Sequence, residues 1–104
     1  MNPFNHEVAW PVDGNGDLAT GAGERLRVNQ LEHMAFDYSK DATADMQGSL
    51  QASFAGLSWD DIHNLAASGN GTIDNAYQFV RINITNVGTV GQADSELRIA
   101  GKNK

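Results

Sequence analysis

Polar and apolar residues alternate most regularly between Tyr77 and Val87, where Val80, Ile82 and Ile84 share one parity and Arg81, Asn83 and Thr85 the other. Alternation built from β-branched residues marks a strand with one buried and one wet face. Gly88 and Gly91 interrupt the run, and Leu97, Arg98 and Ile99 repeat the in-out-in pattern before Gly101. Two such strands joined by a glycine-bearing connection are expected to form the closing pair of an antiparallel sheet.

The same pattern recurs upstream. Leu26 and Val28 alternate with Arg25 and Arg27, and Met34, Phe36 and Tyr38 alternate with His33, Ala35 and Asp37. The longest run extends from Ala44 to Phe54, with Ala44, Met46, Gly48, Leu50, Ala52 and Phe54 on one parity. It predicts a central strand, and Gly48 in its middle predicts a bulge or a close backbone approach. Lys40-Asp41 reads as a polar break, a candidate hairpin turn between two of these strands. Trp59-Asp60-Asp61-Ile62 reads as a short strand with its tryptophan inward, and Thr72-Ile73 starts another after the turn-rich Ser68-Gly69-Asn70-Gly71. Seven or eight short strands with frequent turn signals predict an all-β fold, a single β-sandwich or jelly roll spanning residues 24–104. Leu50, Phe54, Val80, Ile82, Ile84, Leu97 and Ile99 are its expected core.

Residues 1–23 break the pattern. They hold both prolines, four glycines and no sustained periodicity, which predicts an extended N-terminal arm. Phe4, Val8 and Trp10 are its isolated apolar anchors, expected to pack against another chain, with Trp10 the main one.

Composition narrows the possibilities. The 104 residues are enough for one core, and 40% hydrophobic with 19% charged residues suits a globular chain. A net charge of −6 argues against a nucleic-acid partner, which needs clustered Lys and Arg. With no cysteine there is neither a disulfide framework nor a thiolate metal site. No apolar run reaches the ~18 residues of a membrane helix, and MNPFNHEVAW lacks the basic flank and apolar stretch of a signal peptide. No membrane partner and no cofactor are expected.

Few residues are arranged for chemistry. Asp13, Asn15, Asp17 and Glu24 copy part of a calcium loop, but Leu18 stands where that loop needs glycine, and Asp-Gly and Asn-Gly are ordinary turn chemistry. A turn is the expectation here, and a metal site its alternative. His6, His33 and His63 lie in separate segments. Asp60, Asp61 and His63 are close in sequence, yet a surface loop accounts for them equally. No serine sits in a nucleophile elbow or beside a His with an orienting acid, so no catalytic residue is assigned. Arg81 and Arg98 are expected to point outward, solvated or ion-paired.

Gln47-Gly48-Ser49-Leu50, Ser58-Trp59-Asp60-Asp61-Ile62, Gly69-Asn70-Gly71-Thr72-Ile73 and Tyr77-Gln78-Phe79-Val80-Arg81-Ile82-Asn83-Ile84-Thr85 come in an order that resembles small β-sandwich domains of tailed-bacteriophage virion proteins. The resemblance covers residues 44–101. It departs at Ala55-Gly56-Leu57-Ser58-Trp59, where those domains carry an acid. It implies a non-enzymatic structural protein of the virion, foremost a head-stabilising capsid decoration protein. The implied partners are other virion proteins, the major capsid protein foremost, and further copies of itself, as a trimer. A second resemblance joins Phe79-Val80-Arg81-Ile82 and Leu97-Arg98-Ile99-Ala100-Gly101 to the ending of discoidin-type, galactose-binding-like domains. That one implies a carbohydrate-binding module of a tail or fibre, whose site would need exposed aromatic platforms; Trp59, Tyr38 and Tyr77 are expected in the core instead.

Overall fold

A computed structural model describes residues 4–103. Its strands are β1 (Phe4–Glu7), β2 (Gly21–Ala22), β3 (Leu26–Arg27), β4 (Leu31–Ser39), β5 (Gln47–Ser53), β6 (Asp60–Asn64), β7 (Gly69–Thr72), β8 (Phe79–Asn86) and β9 (Glu96–Asn103). They form two antiparallel sheets, one ordered β1-β9-β4-β7, the other β2-β8-β5-β6 with β3 also on β8. The expected β-sandwich is what forms.

Alternation does the folding work. Leu50 and Ala52 of β5 and Val80, Ile82 and Ile84 of β8 face Met34, Phe36 and Tyr38 of β4 and Leu97 and Ile99 of β9, all buried in one core. Tyr38 is accommodated because its hydroxyl donates to the carbonyl of Leu65 at 2.9 Å, which keeps a buried polar atom paired. Burial raises its phenol above the ordinary value, partly offset by a hydrogen bond with Ser95.

Three expectations about connectivity and packing are corrected. The strands at 79–86 and 96–103 do not pair with one another: β8 lies between β5 and the β2/β3 edge, and β9 between β1 and β4. Residues 87–95 therefore cross from one sheet to the other, and Lys40-Asp41 likewise opens a crossover from β4 to β5 rather than a hairpin. Alternation reports which face is buried but not which strand is the neighbour. Phe54, expected inside, is 51% exposed. The strand ends at Ser53, whose hydroxyl accepts the Gly56 N–H at 2.7 Å, and this turn takes Phe54 off the strand's parity.

The third correction concerns the arm. Residues 4–23 are built into both sheets of their own domain. β1 pairs with β9 from Phe4↔Gly101 to Glu7↔Arg98, and β2 pairs with β8. Val8 donates its N–H to the Leu97 carbonyl at 2.9 Å and is fully buried in the core, so it offers no surface to another chain. Trp10 is half-buried against that core, its ring 6.5 Å from Tyr38. The side chain of Phe4 lies outside the described residues. Backbone pairing needs no apolar periodicity, which is why so polar a segment joins the fold.

Gly48 bears out its sequence reading. The register shifts between Gln47 and Gly48, and a Cβ at Gly48 would meet the Asn83 carbonyl oxygen at 2.3 Å.

Candidate functional site

The outer face of the β2-β8-β5-β6 sheet carries the most organised exposed side chains. Arg81 on β8 points outward opposite Gln51 on β5, and Gln51 stands opposite Asp61 on β6. Arg81 Nε donates to Gln51 Oε1 at 2.9 Å, and Gln51 Nε2 donates to Asp61 Oδ1 at 3.0 Å. Trp59, just before β6, is half-buried and lies under this row, with the Arg81 guanidinium 3.9 Å from its ring centroid. Desolvation there lowers the Arg81 pKa from its ordinary value, far from any loss of charge at neutral pH.

Two residue pairs along, Phe79 stands opposite Ser53 and carries two more guanidiniums. Arg25 sits 4.4 Å and Arg27 5.8 Å from its ring centroid. Arg25 is also close to Gly56 in the β5–β6 loop. In that loop Leu57 is 91% exposed, and Phe54 stacks on Tyr77 at 4.3 Å with an interplanar angle of 19°. The Tyr77 hydroxyl donates to Asp60 Oδ2 at 2.8 Å. That bond to a carboxylate, with some desolvation, raises the phenol.

The patch thus joins Arg25, Arg27, Arg81, Trp59, Phe54 and Leu57 around one loop. A guanidinium stacked on a ring is held flat while its N–H edges stay available, so it is prepared for a planar acceptor such as a carboxylate. Trp59 and Tyr77, expected in the core, stand half-buried at the surface instead. Parity is the signal in the sequence that points to the patch: Arg81 and Gln51 both fall on outward positions, and Arg25 and Arg27 flank Leu26 on a third strand.

The other sequence candidates are not assembled into sites. Asp13 Oδ1 accepts the N–H groups of Asn15 at 2.8 Å and Asp17 at 3.1 Å, closing a turn over which Val12 bridges Leu18. The structure does not gather Asp13, Asn15, Asp17 and Glu24, and among the described residues no three His, Asp or Glu side chains converge as metal ligands would. Asp60 and Asp61 serve Tyr77 and Gln51, whereas His63 pairs across with Leu50 and packs its ring 5.2 Å from Phe36 and 5.9 Å from Tyr38. The register shift of β6 between Asp61 and His63 separates them. Arg98 pairs with Glu96 of its own strand.

At the opposite end of β5, the β8–β9 crossover folds over the 13–18 turn and leaves a cavity of about 450 Å³ lined by Asp17, Leu18 and residues 87–93. Asp45 anchors this crossover. Its carboxylate accepts the N–H groups of Thr89, Val90 and Gly91 at 2.8, 2.8 and 2.9 Å. These bonds, that of Thr89 foremost, hold the Asp45 carboxyl below its ordinary value.

Together these features define a β-sandwich domain with an arginine–aromatic patch at one end and a carboxylate-tied crossover at the other. No protein-family model, curated protein sequence or solved structure matches the chain.

Proposed function

We propose that this chain is a non-enzymatic structural protein of a tailed-bacteriophage particle, a capsid decoration protein that docks on other virion proteins and stabilises the shell. The reading draws on the resemblance over residues 44–101, and the exposed patch around the β5–β6 loop is the observation that carries it. Arginine and aromatic residues dominate binding energy at protein interfaces, and the patch combines them with an exposed leucine. Added contact across subunit boundaries raises particle stability without chemistry. The test is to incubate the purified chain with phage particles that lack it. Co-sedimentation at saturable stoichiometry, with a higher temperature of genome release, is the expected result. Particles that neither retain the chain nor gain heat resistance would sink the reading.

One observation favours a second reading, a carbohydrate-binding module. Phe54, Trp59 and Tyr77 stand at the surface beside amide and carboxylate groups, where aromatic rings can serve as sugar platforms. A glycan array decides between the two: glycan binding abolished by Phe54→Ala and Trp59→Ala, with no particle binding, would replace the first reading with this one.

A further inference from the structure

We infer that Asn15 is a site of self-modification, where the chain's own backbone converts the side-chain amide to a carboxylate. The chemistry needs only water and lies outside the docking role proposed above.

Two asparagines precede glycine, Asn15 and Asn70. Glycine has no side chain to shield its nitrogen from the preceding residue, so these two pairs are the candidates. Once a base removes its proton, the glycine nitrogen bonds to the asparagine Cγ. The Cγ–Nδ2 bond then breaks, and the amide nitrogen leaves as ammonia after taking up a proton from water. Water opens the resulting cyclic imide at either carbonyl. Opening at Cγ gives aspartate. Opening at the backbone carbonyl gives isoaspartate, whose main chain is longer by a methylene. Water is consumed, ammonia is released, and nothing is oxidised.

Both side chains are exposed, so the backbone decides between them. Asn70 lies in β7, where Ile73 donates its N–H to the Met34 carbonyl at 2.9 Å. Antiparallel strands bond at alternate residue pairs, so Gly71, opposite Phe36, gives its N–H to the same ladder. A Cβ at Gly71 would meet Phe36 Cε1 at 2.9 Å, so this glycine is packed against the ring as well. Its nitrogen is freed only by peeling β7 from β4.

Asn15 lies in the 13–18 turn. The Gly16 N–H donates to the Asp13 carbonyl at 3.1 Å, and a Cβ at Gly16 would meet nothing within 4 Å. Opening that bond in an exposed turn disturbs no core residue. Asp13 also precedes a glycine, but its carboxylate accepts the N–H groups of Asn15 and Asp17, and an ionised carboxylate is a poor electrophile.

The modification reaches beyond the turn. It sets a new carboxylate between Asp13 and Asp17, and the isoaspartate methylene displaces the Asp13 N–H from the Asp17 carbonyl, 2.8 Å away. Leu18, the next residue, packs on the core and lines the cavity beside residues 87–93.

Incubating the full chain at mildly alkaline pH, folded and in concentrated urea, tests this, with peptide mass spectrometry placing the change on a residue. In the folded chain Asn15 should convert about tenfold or more faster than Asn70, because exposed turns open at almost no free-energy cost and ladders do not. In urea the two rates should converge. Asn15→Gln, which would have to close a larger ring, should remove the fast event. Folded Asn70 converting as fast as Asn15 overturns the proposal. So does an Asn15 that stays intact in the folded chain, whether or not it converts in urea.

Discussion

Replacing Gly48 with alanine tests how closely β5 and β8 are locked. The added methyl would lie 2.3 Å from the Asn83 carbonyl oxygen, 3.0 Å from Ile84 Cα and 3.1 Å from Ile84 Cδ1. Two of these three atoms are backbone, so no rotamer change relieves the contact. Non-bonded carbon contacts settle near ~3.5 Å, which requires β8 to retreat by roughly 1 Å at this point. A ladder bond stretched by that amount leaves the ~2.7–3.2 Å range. Losing two of them costs about 2 kcal/mol in all. Repacking Ile84, which is buried in the core, adds about 1 kcal/mol. Alanine's better strand propensity returns ~0.5–1 kcal/mol. The net is a loss of about 2 kcal/mol, or a melting temperature lower by roughly 10 °C for a domain of this size. Urea unfolding followed by tryptophan fluorescence measures it, with Gly14→Ala as the control. A methyl group at Gly14 would have nothing within 4 Å, and the φ there is not positive, so that variant should be neutral or slightly more stable. Gly48→Ala unfolding at the wild-type urea concentration would refute the reasoning.

Three further outcomes are expected. Ile82→Ala, at a fully buried position, should destabilise by about 2–4 kcal/mol in the same assay, and a change below ~0.5 kcal/mol would contradict its place in the core. The Asp45 carboxyl titrates below its ordinary value in the folded chain, so its contribution is present above the unfolded value of about 3.9 and is lost as pH falls through the folded one. The protection factors of the Thr89, Val90 and Gly91 amides, taken against the intrinsic exchange rate at each pH, should therefore fall on acidification and stay constant with pH in Asp45→Asn; unaltered wild-type protection at low pH would count against the tie. Deleting residues 2–20 removes β1 and the buried Val8, whose burial alone is worth ~1.5–3 kcal/mol, so circular dichroism should show a markedly lower melting temperature, and an unchanged one would mean the segment is not part of the fold.

The burial pattern is legible in the sequence because the side-chain period of a strand is two and the core selects one parity. Val80, Ile82 and Ile84 declare their face without any knowledge of neighbours, and Gly48 declares a close approach. Strand order is not legible, since β8 and β9 carry similar patterns but belong to different sheets. The place of the N-terminal segment is hidden because its contribution is mainly backbone pairing, with Val8 as a single core residue. The patch is legible only in part: parity turns Arg25, Arg27 and Arg81 outward, but they and Trp59 come from three separate segments and meet only through the register of β3, β5, β6 and β8.

The position of β9 in its sheet governs how the chain can be made. β9 lies between β1 and β4, so the pairing of Phe4 with Gly101 and of Leu31 with Asn103 waits until all the intervening strands have been synthesised. At ~5–20 residues per second, β1 emerges several seconds before its partner, and β4 meanwhile keeps an open edge beside β7. Such long-range closure slows folding and exposes unpaired strand edges. Synthesis of this domain therefore favours conditions in which nascent chains are sparse or shielded, and slowing translation near β9 should increase aggregation rather than help folding.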